Sequence, residues 1–158
     1  MAHFEKRLSS ETKFEGRVIT VTLDRVELEN GGTSTREVVR HHGGAGVAAL
    51  NDEGELYLVR QYRYALDREL IEIPAGKLEK GEDPLEAAKR ELGEEAGLAA
   101  AEYRDLGYII PTCGYCSEIH LPVCGQGPFS RGAAPGRGRI SLGVHAAAGQ
   151  GRGNGSLR

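Results

Sequence analysis

Apolar and polar residues alternate along much of the first 75 positions, and this period of two predicts strands. The clearest stretch is residues 17–28, RVITVTLDRVEL, which is rich in β-branched side chains. Asn30-Gly31-Gly32 then gives a turn signal, and the strand pattern resumes at 35–41. The pattern therefore predicts an antiparallel hairpin near the N-terminus.

Shorter apolar runs predict further strands before and after the middle of the chain. Residues 46–50 and 55–60 flank Asn51-Asp52-Glu53-Gly54, which predicts a second hairpin. Three more strands are predicted, at 69–73, 103–110 and 118–123.

One helix is predicted, at 84–96. Asp83 is a favoured N-cap residue, Pro84 suits the first helical position, and Glu86 would complete a capping box. Gly97 stands where a helix commonly ends. An apolar stripe recurs at helical spacing through Leu85, Ala88, Leu92 and Ala96. Strands with a single clear helix predict a mixed α/β or α+β domain.

Composition divides the chain into two parts. A length of 158 residues suits one core, but the last acidic residue is Glu118, and 10 of the 23 glycines fall after residue 124. The stretch 125–158 has neither strand nor helix period, so it offers little apolar surface to offset the entropy of ordering. We therefore expect a domain over 1–124 and a disordered or frame-shifted tail over 125–158.

The net charge of −3 gives no electrostatic case for nucleic acid or an anionic membrane as a partner. No apolar run is long enough to span a bilayer, and the N-terminus lacks the apolar core of a secretory signal. With three cysteines, an odd number, the expected compartment is the reducing cytoplasm.

The predicted helix carries a cluster of carboxylates. Glu91 and Glu95 are four residues apart and share a helix face, with Glu94 on its flank. Three repelling acids so close together suit a bound divalent cation such as Mg²⁺, Ca²⁺ or Mn²⁺. The alternative is a solvated surface, on which Arg90 would pair with Glu86 and Glu94.

The surrounding residues favour the cation. From Gly76 the sequence runs five residues to Glu82, seven more to Arg90, and then RELGEEAGL over 90–98. This pattern resembles the Nudix box at every fixed position. The family resemblance implies a mixed β-sheet sandwiched by helices, and Mg²⁺-dependent hydrolysis of the pyrophosphate bond of a nucleoside diphosphate joined to another group. Mn²⁺ could replace Mg²⁺.

The resemblance also implies roles for residues of the box. Glu91, Glu94 and Glu95 match metal-binding and catalytic acids, and the carbonyl of Ala75 matches a backbone metal ligand. Arg90 matches the arginine that orients the glutamates, and Glu82 matches its partner.

Outside the box the chain resembles the ADP-ribose pyrophosphatase branch over about 15–124, through REVVRH at 36–41, VRQYR at 59–63 and ELIEIPAG at 69–76. This resemblance implies conversion of ADP-ribose to AMP and ribose 5-phosphate by a homodimer, with N-terminal strands 15–42 as the dimerisation element. It assigns substrate contacts to Arg36, Glu37, Arg63, Glu72 and Glu118. Cys113-Gly114-Tyr115 departs from the Pro-Gly-Phe usual in the branch, so the exact substrate stays open.

No residue after Leu121 matches the branch, and an acidic residue in a later loop is lacking. The tail is explained either by a reading-frame error or truncation, or by a genuine flexible extension. The alternative function is therefore a catalytically impaired module that binds nucleotide sugars, or an inactive truncated homologue. Cys113 and Cys116 form a Cys-x-x-Cys pair that we interpret as ordinary loop residues, and His41 and His42 as surface or turn residues.

Overall fold

The structure, a computed structural model, describes residues 3–131 and 141–145. Along the chain the elements are β1 (Lys6–Glu15), β2 (Ile19–Glu27), β3 (Thr33–His41), β4 (Gly44–Ala49), β5 (Glu55–Arg63), a 3₁₀ turn (Tyr64–Leu66), β6 (Arg68–Glu72), β7 (Ala75–Lys77), α1 (Pro84–Ala96), β8 (Leu98–Ala99), β9 (Glu102–Asp105), β10 (His120–Gln126), β11 (Ser130–Arg131) and β12 (Ser141–His145).

The first three strands form an antiparallel sheet, in the order β1-β2-β3. The predicted hairpin is confirmed as β2 and β3, with Thr22 opposite Val38. Its turn closes through hydrogen bonds from the Leu28 amide to the Gly32 carbonyl and from the Gly31 amide to the Leu28 carbonyl, and Gly31 adopts a φ of 79° that favours glycine. Strand β1 was not predicted, because all ten of its residues are exposed and it therefore has no buried apolar face.

A mixed sheet in the order β7-β4-β10-β9 forms the centre of the domain. Strand β4 runs parallel to β10 and antiparallel to β7, so both of its edges are occupied. For this reason the predicted hairpin of 46–50 with 55–60 is wrong: β5 lies in another sheet, β12-β5-β6, and the ladder pairing between the two runs is limited to an antiparallel bridge between Leu50, just after β4, and Leu56.

Helix α1 packs on the mixed sheet and begins and ends where the sequence predicts. The Asp83 carboxylate accepts hydrogen bonds from the amides of Leu85 and Glu86, at 2.9 and 3.2 Å. The predicted capping box is only half formed, because the Glu86 carboxylate accepts a hydrogen bond from Lys89 instead. The core between helix and sheet is built mostly of small side chains: Ala45, Val47, Ala49, Ala87, Ala88, Leu92, Ala96 and Val123.

The mixed α/β class is confirmed. Within residues 3–131 and 141–145, α1 is the single α-helix, so the second helical layer that the resemblance implies is not among them. None of the helices in this part of the chain is long and apolar enough to cross a membrane.

Strand β10 continues two residues past position 124, and the short strands β11 and β12 also fall in the segment that we separated as a tail. Strand β11 pairs with β8, and β12 pairs with β5. The rest of that segment, 132–140 and 146–158, lies outside the described residues, so the domain boundary and the expected disorder there stay predictions.

Candidate active site

Two carboxylates of α1 are buried against the sheet. Glu91 is 8% exposed and Glu95 is 2% exposed, because their spacing of one helical turn sets them on the same face. Glu94, between them in sequence, keeps 59% of its side chain exposed. The predicted cluster of three therefore consists of a buried pair with a solvent-facing neighbour.

Strand β7 lies opposite this pair. The Ala75 amide donates a hydrogen bond of 2.9 Å to Oε2 of Glu95. A Cβ atom at Gly76 would stand 1.9 Å from Oε1 of Glu91, which is too close for any side chain. Glycine at position 76 thus provides the space in which the Glu91 carboxylate sits.

Arg90 joins the loop before the helix to Glu91. Its Nε donates to Oε1 of Glu82 at 2.9 Å, its Nη2 to Oε2 of Glu82 at 3.0 Å, and its Nη1 to Oε1 of Glu91 at 2.7 Å. The amide of Glu79 also donates to Oε2 of Glu82, at 2.9 Å. The two-pronged arginine–carboxylate pair holds the Glu91 oxygen in one direction.

The positive charge of Arg90 and the negative charges of Glu82 and Glu91 stabilise one another. The hydrogen bond from Arg90, reinforced by the Glu79 amide, lowers the pKa of Glu82. The same hydrogen bond, together with that to Glu91, raises the pKa of Arg90 further above its usual value. Arg90 and Glu82 therefore stay ionised at neutral pH.

The buried pair forms part of the wall of a cavity of about 500 Å³. Five residues predicted as ligands or substrate contacts line it: Ala75, Glu91, Glu95, Arg63 and Glu118. Six other residues also line it: His41, Gly44, Gln61, Gly76, Lys77 and His120. The cavity thus combines acidic side chains, from α1 and from the loop before β10, with cationic side chains from β5 and β7.

Glu72 does not itself line the cavity but holds Arg63, which does. The Nε of Arg63 donates to both Glu72 oxygens, at 3.0 and 3.1 Å, across the β5–β6 ladder. This hydrogen bond to Glu72 raises the pKa of Arg63. The pair therefore presents a fixed guanidinium to the cavity.

Glu118 reaches the cavity at the end of the loop between β9 and β10. Its Oε1 lies 3.8 Å from Nδ1 of His41, which in turn accepts a hydrogen bond of 3.0 Å from the Gly43 amide. His41 ends β3 beside the turn at Gly43, but its side chain is only 11% exposed and lines the cavity. Burial lowers the pKa of the neighbouring His120, although the charge of Glu118 opposes that shift.

Arg36 and Glu37 lie elsewhere in the single chain, on β3 of the N-terminal sheet, and neither lines the cavity. Arg36 hydrogen-bonds with the Glu5 carboxylate and with the carbonyl of Thr35. The hydrogen bond to Glu5 raises the pKa of Arg36. Their assignment as substrate contacts stays a prediction, as do the roles of Glu82, Arg90 and Glu94.

Two of the unpredicted lining residues carried a usable signal. Gln61 is two positions before Arg63 on β5, and side chains two apart share a strand face. His120 is likewise two positions after Glu118. Lys77 and His41 gave no such signal, because their place in the cavity depends on how β7 and the end of β3 meet the helix.

The carboxylates that line the cavity suit a hard divalent cation. Within the described ranges, no group of three or more His, Cys, Asp or Glu side chains gathers closely enough to hold a metal alone. Mg²⁺ is typically bound by one or two carboxylates, with water and substrate phosphates completing its shell. Two buried carboxylates beside an open cavity, with the space at Gly76 occupied by one of them, fit that mode.

Comparison with protein families gives two adjoining matches. Residues 40–115 match the NUDIX domain, and residues 5–39 match the nucleoside diphosphate sugar hydrolase N-terminal domain. The second match covers β1, β2 and most of β3, and the first contains the buried carboxylates.

The chain is also similar in sequence to proteins from three bacteria. The chain is 47% identical to the methanol dehydrogenase activator of Bacillus methanolicus over 120 residues, a stretch that covers 75% of this chain and 65% of that protein. It is 44% identical to the ADP-ribose pyrophosphatase of Bacillus subtilis over 115 residues, which are 73% of this chain and 62% of the relative. It is 39% identical to the ADP-ribose pyrophosphatase of Mycobacterium tuberculosis over 117 residues, which are 73% of this chain and 56% of the relative. The matched part is thus less than two thirds of each relative's length.

The fold is similar to the crystal structure of an ADP compounds hydrolase. The TM-score is 0.77 at 24% identity, over 91% of this chain and 80% of that one. At this identity the likeness concerns the fold alone.

Proposed function

The chain belongs to the Nudix family, and from that premise we propose that it is a hydrolase of the pyrophosphate bond in a nucleoside diphosphate joined to another group. ADP-ribose is the proposed substrate, and AMP and ribose 5-phosphate are the products. The observation that carries the proposal is the buried pair Glu91 and Glu95, which faces a cavity of about 500 Å³ together with Arg63.

The chain's own residues would prepare the site for a cation. Glu91 and Glu95, with the backbone oxygen of Ala75, are the proposed ligands, and Arg90 would keep Glu91 in place through its 2.7 Å hydrogen bond. The cation, Mg²⁺ with Mn²⁺ as a substitute, would supply charge neutralisation at the diphosphate and a more acidic bound water. Glu94, at the solvent side of the same turn, is proposed to support this arrangement.

The cationic side chains of the cavity would bind the substrate. Arg63 offers a planar fork of donors that suits phosphate oxygens, and its bond to Glu72 fixes the guanidinium before substrate arrives. Lys77 adds a second cation to the cavity lining. Glu118 is the acid placed to accept hydrogen bonds from hydroxyl groups of the nucleoside or sugar.

A dimer is proposed through the N-terminal sheet. Strand β1 is exposed along its whole length, and Arg36 and Glu37 lie on that sheet away from their own cavity. A second copy would allow both residues to reach substrate in the partner's cavity. Light scattering coupled to size exclusion tests this: the mass of two chains is expected, and a monomer at all concentrations would contradict it. We place the protein in the cytoplasm, because none of its three cysteines is paired in a structural disulfide.

Product analysis with ADP-ribose and Mg²⁺ tests the activity. Glu95→Gln keeps an oxygen that can accept the Ala75 amide but removes the charge, so the rate should fall about a hundredfold or more. Glu86→Gln is the matched control, because Glu86 is an exposed carboxylate of the same helix that pairs with Lys89 outside the cavity.

AMP and ribose 5-phosphate from wild type and Glu86→Gln, but not from Glu95→Gln, is the expected result. Equal rates in all three proteins would contradict the proposal. If wild type binds ADP-ribose without cleaving it, the chain is a nucleotide-sugar-binding module instead. Where ADP-ribose is cleaved, a panel of other sugar nucleotides and dinucleoside polyphosphates at fixed Mg²⁺ identifies the preferred substrate.

A further inference from the structure

The loop between β9 and β10 contains a pair of cysteines in one turn of backbone. The amides of Tyr115 and Cys116 both donate to the Thr112 carbonyl, at 3.3 and 3.0 Å, so residues 112–116 form a single helical turn. Cys113 and Cys116 are three positions apart in this turn and therefore lie on the same side of it. Both thiols are free, and Cys113 is exposed.

From this geometry we propose that Cys113 and Cys116 form a reversible disulfide by exchange with a small-molecule disulfide, and that its formation moves Glu118 in the cavity wall. The first half stands on the turn itself. The second half, an effect on hydrolysis, rests on the proposed function.

A disulfide between Cys113 and Cys116 would require only a small movement of the backbone in this turn. Side chains three apart on a helical turn have Cβ atoms about 5–6 Å apart, and a disulfide needs about 3.5–4.5 Å. Gly114, inside the turn, has no atom within 4 Å of where a Cβ would lie. The turn can therefore tighten toward the solvent without displacing the core.

The consequence for the cavity follows from the residues on either side of Cys116. The Val39 amide donates to the Tyr115 carbonyl at 2.8 Å, and the Ser117 amide donates to the Val39 carbonyl at 2.9 Å. Oγ of Ser117 accepts the His41 amide at 3.1 Å. Cys116 is thus the centre of the contact that attaches the loop to β3, and Glu118 follows two residues later in the cavity wall.

Two alternative roles for the cysteines, a zinc site and a disulfide with Cys124, are less consistent with the structure. A zinc site needs about four ligands, and among residues 3–131 and 141–145 no such group of side chains exists. Cys124 lies in β10, where its backbone pairs with Ala48 and Arg104 in the mixed sheet. Cys124 therefore serves as a control rather than a partner.

This thiol–disulfide exchange conserves atoms and electrons and requires no metal ion. The Cys113 thiolate attacks one sulfur of the reagent, for example oxidised glutathione, which forms a mixed disulfide and releases one thiol. The Cys116 thiolate then attacks the Cys113 sulfur and releases the second thiol. Two electrons pass to the reagent, which leaves as two thiols, while the protein loses two hydrogen atoms.

The experiment uses the full chain, incubated in glutathione buffers from reducing to oxidising, quenched with acid and alkylated. Wild type and Cys124→Ser should each lose two reactive thiols, with a mass change of two hydrogen atoms and no adduct. Hydrogen exchange at the amides of Val39 and Ser117 should become faster. ADP-ribose hydrolysis should fall about 10- to 100-fold, as for a misplaced active-site group, and return on reduction.

Cys113→Ser is the decisive variant, since position 113 is exposed and the substitution leaves the fold intact. It should keep its activity and its amide exchange unchanged in oxidising buffer. A glutathione adduct on one cysteine, a bond that includes Cys124, or a disulfide without change at Val39 or in activity would each overturn the proposal. If the reduced protein cleaves no nucleotide, the proposed function fails, and the thiol count and amide exchange still decide the disulfide.

Discussion

At position 76 the missing side chain matters more than any interaction made there. The Glu91 carboxylate occupies the volume that a Cβ would fill, only 1.9 Å from the ideal Cβ position. A glycine that is required for this reason differs from one required by its φ, since here the backbone angle itself is not left-handed. Helix α1 can therefore place the Glu91 carboxylate against β7 only if residue 76 has no side chain.

Replacing Gly76 by alanine should displace Glu91 and lower ADP-ribose hydrolysis about a hundredfold, with the fold retained. Gly93→Ala, on the helix that carries Glu91, is the control, because its new methyl group would meet only the Leu98 carbonyl, at 4.0 Å. Steady-state kinetics with circular dichroism as a check on folding measures both. Equal activity in the two variants would contradict the role given to Gly76.

Glu82 predicts a dependence of stability on pH. Its pKa is below the ordinary value of 4.5 in the folded chain, chiefly through the hydrogen bond from Arg90. A lowered carboxylate pKa stabilises the fold above about pH 4.5, and this contribution is lost as pH falls through the folded-state pKa. Thermal unfolding between pH 7 and pH 3 should thus show a smaller decrease in melting temperature for Glu82→Gln than for wild type. Parallel curves would exclude this contribution.

At the scale of elements, α1 joins the site to the core. Glu91 and Glu95 face the cavity, and Leu92, between them in sequence, is fully buried against the sheet. Most other core side chains under the helix are alanine, so Leu92 contributes much of the apolar volume there. The same packing that stabilises the helix thus fixes the direction of its carboxylates.

Leu92→Ala should destabilise the domain by about 2–5 kcal/mol through lost burial and a residual cavity. That loss is a large part of the free energy of unfolding, about 5–15 kcal/mol, that is expected of such a domain. Leu85→Ala on the same helix is the control: Leu85 is 36% exposed, and its loss should cost less than about 1 kcal/mol. Urea unfolding curves give both values, and similar midpoints for the two variants would show that Leu92 is not central.

Elements with strong local signals were predictable from sequence, and those defined by distant partners were not. Helix α1 carries its own cap, stripe and terminal glycine, so its bounds followed directly. The pairing of 46–50 with 55–60 failed because β4 is held by β7 and β10, which are far away in sequence. In the site, the box residues were identified by their spacing, whereas Lys77 and His41 enter the cavity only through tertiary packing.

For the whole molecule, the described cavity wall precedes Gly127, whereas the described core reaches slightly further. Among residues 3–131 and 141–145, the buried cluster extends to Val123 with Phe129 packed against it, and the cavity-lining residues extend to His120. A cut at Val123 would interrupt β10, whose residues up to Gln126 pair with β9. A chain ending at Arg131 is the better truncation, since β10 and β11 remain whole.

The chain ending at Arg131 should unfold cooperatively and keep its hydrolysis of ADP-ribose. Its melting temperature should fall, because the β12–β5 pairing is lost. Circular dichroism and product analysis, side by side with the full chain, measure the two properties. A loss of the cooperative transition would show that residues beyond 131 are part of the core.

The proposed role of Glu91 and Glu95 is to bind a divalent cation beside the diphosphate. Titration with Mn²⁺, followed by its electron paramagnetic resonance signal, tests this directly without requiring turnover. Wild type and Glu86→Gln should bind with the same saturable affinity, and Glu95→Gln should bind at least about tenfold more weakly. Undiminished binding by Glu95→Gln, or no saturable binding by wild type, would contradict the account.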